Sequence, residues 1–204
     1  MYYDHEDMDA LKLEPHRTTL LVVDVQERLL PAMPAAHQRR IVAAHELLLD
    51  AARLLKVHTV ATEQYPKGLG NTVPAVRAMF DAFDVPVFEK TQFSACCVKG
   101  VTDALALVDA RTVIVTGMET HVCVFQTVRD LLHKGYQVHV PFDAVASRDP
   151  ECRRVALDTL RGCGAKITTA ETVVFDLLRD AKHPEFRAIS ARVKAMPIEA
   201  DTSR

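Results

Sequence analysis

Apolar residues along this chain come in short runs separated by amphipathic stretches. The runs at 18–23, 59–62, 85–88, 112–115, 137–140 and 166–169 are rich in Val and Thr and mostly lack strict polar alternation. That is the pattern of strands covered on both faces. Between them apolar positions recur at helical spacing near 38–55, 72–83, 98–108, 122–134 and 150–162, with a further helix near 172–180. The stretch 183–196 reads as a last helix that packs on the body or on a second subunit. Alternating strands and helices predict parallel pairing with right-handed crossovers. Six strands are too few for an eightfold barrel. The predicted fold is therefore α/β, a three-layer α/β/α arrangement around a mostly parallel six-stranded Rossmann-like sheet.

No linker splits the chain, and 204 residues suit one domain with a full core. The domain is read at 16–196, between a polar N-terminal arm at 1–15 and a polar tail at 197–204. A formal net charge of -2 gives no general attraction to nucleic acid or an anionic membrane. No apolar run approaches the roughly 20 residues of a membrane span. The opening MYYDHEDMDALKLEP is acidic and polar, unlike a signal peptide. Five cysteines, an odd number without framework spacing, then point to reduced thiols and a cytoplasmic setting. A small molecule is the expected partner.

The segment VTGMETHVCV, residues 115–124, changes the picture from fold to chemistry. A buried strand breaks at Gly117 and helical spacing resumes through Val124, Val128 and Leu131, so Cys123 falls in or near the first turn of a helix. Ligands in open α/β sheets bind at the carboxyl ends of strands, and a helix N-terminus favours a thiolate. Two other strand ends carry matching groups: LLVVDVQERLL places Asp24 after the first strand, and VPVFEKTQFSA places Lys90 after the third. Asp24 could take the thiol proton, Lys90 could steady both anions, and backbone N–H groups around Glu119 to Cys123 could hold an oxyanion. Each residue alone has a plainer reading: Asp24 as a turn or cap residue, Lys90 as a surface charge, Cys123 as a small core residue. Together they supply complementary chemistry from three strand ends.

The chain resembles the isochorismatase-like cysteine hydrolases, the superfamily that includes nicotinamidases. The resemblance runs from Thr18 to Asp180 and rests on LLVVDVQERL, ATEQYPKGLG, FEKTQFSA and VTGMETHVCVFQTVRDLLHKGYQVHVPFDAVASR. It implies a Cys–Asp–Lys triad of Cys123, Asp24 and Lys90. It also implies a cis peptide between Met118 and Glu119 that turns a backbone N–H toward the oxyanion, and assembly into a homo-oligomer. Nicotinamidases carry a metal site with histidines after the second strand. The matching residues here, 63–68, contain no His, so the expectation is no metal and no cofactor. Some isochorismate-cleaving members lack the cysteine, and the presence of Cys123 argues against that reaction. The EQYPKGLG segment looks most like a branch without assigned substrates. The implied activity is hydrolysis of a small C–N bond, most plausibly an amide, through a covalent acyl-enzyme. The alternative is a non-catalytic binding or scaffold member of the same fold.

Other residues near the strand ends are candidates for the pocket. Gln64, Tyr65 and Phe93 could line it, the two rings either stacking on a planar substrate or merely packing. His121 could serve as a second base or be a loop residue. Thr120 reads most simply as the N-cap of the cysteine's helix. Gln26 could hydrogen-bond near Asp24.

Overall fold

The Val- and Thr-rich runs do form strands of a single sheet. The computed structural model describes residues 12–197. Its strands are β1 (Thr18–Val23), β2 (His58–Gln64), β3 (Val87–Lys90), β4 (Thr112–Met118), β5 (Gln137–Pro141), β6 (Val145–Ala146) and β7 (Lys166–Thr168). The sheet therefore has seven strands where six were expected. The additional one, β6, has two residues and shows no periodic pattern. It exists by pairing with Gly117 and Met118 at the end of β4. The order is β3-β2-β1-β4-β5-β7, and all of these pairs are parallel.

All six positions of β1 are buried, because helices cover both faces. Leu20 and Val22 enter one core with Ile41 and Leu48 of α1 (Ala35–Leu55). Phe80 of α3 (Pro74–Ala82), Val173 of α7 (Ala170–Leu178) and Ile189 of α8 (Phe186–Lys194) complete that side. Leu21 and Val23 enter the other core with Val101 and Leu105 of α4 (Lys99–Leu107). Val128 of α5 (Phe125–His133) and Leu160 of α6 (Pro150–Gly162) join them there. A four-residue α2 (Pro66–Leu69) follows β2. A strand buried on both faces has no polar side to alternate with, which is why period-two patterning is absent.

The chain winds from β1 out to β2 and β3, then crosses back to lay β4 on the other side of β1. That reversal opens a crevice at the carboxyl ends of β1 and β4, the place where such sheets bind ligands.

Most of the expected polar arm, residues 1–11, and all but Pro197 of the expected tail lie outside the described residues. The described end of the arm is docked. Leu13 is buried, its N–H donates to Asp176 Oδ2 at 2.8 Å, and its carbonyl accepts from Arg179 at 2.9 Å. A single leucine in a polar stretch is enough to pin it against the end of α7. The expected last helix is α8, and it packs on the body: Ile189 is in the core, and Arg192 Nε lies 2.7 Å from Asp50 Oδ2 on α1. No described helix is long and apolar enough to cross a membrane.

One buried base makes this core sensitive to acid. His45 on α1 is fully buried; Nδ1 lies 2.6 Å from the Ile41 carbonyl and Nε2 lies 3.0 Å from Thr116 Oγ1 on β4. The carbonyl requires Nδ1 to carry the proton, so the neutral ring accepts from Thr116. Burial lowers its pKa from 6.5 to about 4. Between those values the unfolded chain binds a proton that the folded chain refuses, so stability falls as pH drops from 6.5 toward 4. Urea unfolding at pH 7 and pH 4 should differ by about 3 kcal/mol from this residue, and His45→Gln should remove most of that difference.

Candidate active site

The site is assembled from successive strand ends. β1 stops at Val23 and the chain turns at Asp24, whose φ of 54° lies in the left-handed region that Asp tolerates better than most residues. The turn is fixed by the Asp24 N–H donating to the Thr62 carbonyl (3.1 Å) and the Asp24 carbonyl accepting from the Gln26 N–H (2.9 Å). The carboxylate is fully buried. Oδ1 accepts from Thr62 Oγ1 at 2.8 Å, and Oδ2 accepts from Lys90 Nζ at 2.6 Å.

Lys90 ends β3, two strands from β1, and its long side chain reaches back past β2. Its side chain and that of Asp24 both have 0% exposure. Nζ also donates to Gln64 Oε1 at 2.7 Å, at the end of the intervening strand. Gln64 is itself held: Nε2 donates to the Thr91 carbonyl (2.7 Å), and its N–H donates to Gln26 Oε1 (2.8 Å). Gln26, fully buried, returns Nε2 to the Gln64 and Gly70 carbonyls at 3.0 and 2.6 Å. Gln64, expected among pocket-lining residues, thus orients the lysine. Its neighbour Glu63 accepts from the Thr72 N–H and hydroxyl, both at 2.7 Å. Among the described residues no group of three or more His, Cys, Asp or Glu is arranged to hold a metal ion.

From the other side of β1 comes the cysteine. Gly117 has φ +114°, and a Cβ there would run into the Val23 carbonyl, so only glycine lets β4 lie against β1 at this level. The Met118–Glu119 peptide is cis. The chain then forms a π-helical turn, Thr120–Val124, that runs directly into α5. Cys123 sits in that turn, 5% exposed, where the charges of Asp24 and Lys90 act on its thiol. Asp24, Lys90 and Cys123 therefore converge, although they are far apart in sequence.

The electrostatics correct one expectation. A helix N-terminus was expected to lower the thiol pKa; instead burial pushes Cys123 up to about 12, with the Asp24 charge adding and Lys90 opposing. Desolvation outweighs the dipole because the sulfur is almost closed off from water. Burial likewise raises Asp24, against the pull of Lys90, Thr62 and Cys123. Protonating Asp24 would leave the Lys90 ammonium buried without a counter-charge, so the pair stays ionised.

The remaining candidates lie apart. Thr120 does not cap the helix: Glu119 occupies the cap position, and its carboxylate instead accepts from the Arg148 N–H at 3.1 Å. Thr120 is the first residue of the turn, and its buried hydroxyl has no partner. His121 turns to Ser147, Nδ1 to Oγ 2.9 Å, and lines a cavity with Phe125 and Cys152 in which Cys123 takes no part. Tyr65 and Phe93 remain about half exposed. Tyr65 shares a cavity of about 380 Å³ with Lys90 and Thr91, and its N–H donates to the Lys90 carbonyl at 2.8 Å. Thr62 was not singled out from sequence, although a hydroxyl within a run of buried strand positions is a signal that it serves a buried polar group. All five cysteines are free thiols.

This chain belongs to the isochorismatase family: the Isochorismatase domain matches residues 18–172. It is 42% identical over 181 residues to isochorismatase domain-containing protein 2 of Bos taurus, covering 88% of this chain and 84% of that protein. It is 41% identical over 189 residues to the secreted isochorismatase effector Isc1 of Phytophthora sojae, covering 90% and 87%. The solved structure of MAR1 ribonuclease from Caenorhabditis elegans superposes with a TM-score of 0.86 at 36% identity, covering 95% of this chain and 98% of that one.

Removing both members of the buried pair should cost less than the two single removals added together. Lys90→Met strands a buried carboxylate and should cost about 3–5 kcal/mol. Asp24→Leu combined with Lys90→Met should cost less than the sum of the single changes. Urea unfolding of the three variants measures the coupling; additive costs would contradict the buried pair.

Proposed function

We propose that the chain is a cysteine hydrolase of a small carbonyl–nitrogen bond, with Cys123 as nucleophile, Asp24 as acid–base group and Lys90 as electrostatic anchor. The observation that carries this reading is the fully buried Asp24–Lys90 pair, 2.6 Å apart, whose charges act on the Cys123 thiol at the strand-end crevice. A purely structural core has no use for two charges and a sulfur in that place, which makes a scaffold role the weaker reading.

The resting thiol is neutral, so proton removal accompanies attack. The Asp24 carboxylate takes the Sγ proton as Sγ bonds to the substrate carbonyl carbon. The carbonyl π electrons move to oxygen, and backbone N–H groups of the 119–123 turn would donate hydrogen bonds to that oxyanion. Its raised pKa suits Asp24 to hold that proton. The tetrahedral intermediate collapses, the C–N bond breaks, and Asp24 returns the proton to the leaving nitrogen. Water then attacks the thioester while Asp24 takes its proton; the C–S bond breaks, and Cys123 recovers its thiol as the acid leaves. Lys90 stays charged throughout and keeps the carboxylate in place. Gln64 and Thr62 fix the geometry of that pair.

RNA cleavage, named for the Caenorhabditis elegans relative, is less favoured. Net charge is -2 and Cys123 is 5% exposed, a poor match for a polyanion.

A panel of small amides, esters and single-stranded RNA, tested on wild type, Cys123→Ala and Asp24→Asn, decides the matter. Amide turnover should fall by roughly a thousandfold or more in Cys123→Ala and by at least roughly a hundredfold in Asp24→Asn. Turnover of any of these substrates that survives Cys123→Ala would overturn the assignment.

A further inference from the structure

The outer face of α6 carries charges whose order reads the same backwards with the signs exchanged. Along it stand Glu151, Arg154, Asp158 and Arg161, all exposed. Glu151 and Arg161 lie equally far on either side of Ala156, and so do Arg154 and Asp158. Within the chain they pair along the helix, Arg154 with Glu151 and Asp158, and Arg161 with Asp158. A second copy related by a two-fold axis near Ala156 would run its α6 antiparallel to the first. Glu151 would then face the partner's Arg161, and Arg154 would face the partner's Asp158. On the same helix face Val155 is 48% exposed, one of few large apolar side chains so placed among the described residues. Beside it lies a cavity of about 360 Å³ whose lining includes His121, Phe125, Cys152, Val155 and Thr159, with Glu151 of the charge strip at its wall.

We infer that this face is a self-docking surface, where two copies of the chain meet with α6 antiparallel to α6. Charge order selects the occupant. A self-complementary strip is what an isologous two-fold contact requires, since each residue of one copy must suit its mate in the other. Ala156, Leu157 and Leu160 are buried and hold α6 on the body, so the outer face is free to dock without loosening the helix. A 13-residue helix is about 20 Å long. That is too short alone for the roughly 800 Å² per partner of a standard interface, so Val155 of each copy seats in the groove of the other. One wall of the groove is His121, in the same π-helical turn as Cys123. A docked copy therefore closes over the outside of the turn that carries the thiol.

Sedimentation velocity of the full chain at micromolar concentration tests this. Wild type should sediment as a dimer or a multiple of it. Arg154→Glu and Asp158→Arg should each lower the mass by half or more, because each sets like charges face to face. Mixed in equal amounts they should recover the wild-type mass, since each reversed charge then meets an opposite one across both contacts. Val155→Lys should dissociate the assembly without touching the charge pairs, and circular dichroism should show all three variants folded. A monomeric wild type, an unchanged mass in Val155→Lys, or a mixture that stays at the mass of the single variants would overturn the proposal.

Discussion

The structure depends on one buried ion pair. Lys90 Nζ lies 2.6 Å from Asp24 Oδ2, and both side chains are closed off from water. Two charges in such a place cost several kcal/mol of desolvation each, which mutual attraction offsets only with good geometry and further hydrogen bonds. Here Thr62 serves one carboxylate oxygen and Gln64 serves the ammonium. The Gln26–Gln64 exchange locks the two strand ends that carry them. None of these contacts survives a different strand order. β3, β2, β1 and β4 lie side by side, so Lys90, Gln64, Asp24 and the Cys123 turn follow one another along a single edge.

The same burial sets the chemistry. Closing the edge off from water pushes Cys123 up to about 12 and raises Asp24 as well. The site therefore holds a neutral thiol beside a carboxylate of increased basicity. Under the proposed hydrolysis, the proton would move from Cys123 to Asp24 only when an electrophile arrives. Gly117 lets the cysteine-bearing strand approach this closely, because any Cβ there would meet the backbone of β1.

Much of the fold was legible because the strands are strongly apolar and the helices amphipathic. β6 was not, since two residues have no period and pair only once β4 is in place. Asp24, Lys90 and Cys123 were readable as strand-end residues, though Lys90 alone looks like any surface lysine. Its burial follows from reaching past β2 to a carboxylate, which no local window records. The direction of the thiol shift was misread for a related reason: helix position is visible in sequence and depth of burial is not. Thr120 looked like a cap, and the cap position fell instead to Glu119, whose side chain serves Arg148. Tyr65 and Phe93 follow the ends of β2 and β3 and stay about half exposed, and a linear pattern cannot tell a rim from a pocket floor.

The most direct measurement of the central claim is the thiolate absorbance near the far-ultraviolet edge, titrated with pH for wild type and Cys123→Ala. Their difference isolates one sulfur. The account places its ionisation far above the free-thiol value of about 8.5, toward about 12. A difference step below that free-thiol value would mean a preformed thiolate, and would contradict a buried carboxylate as the group that draws the proton during attack.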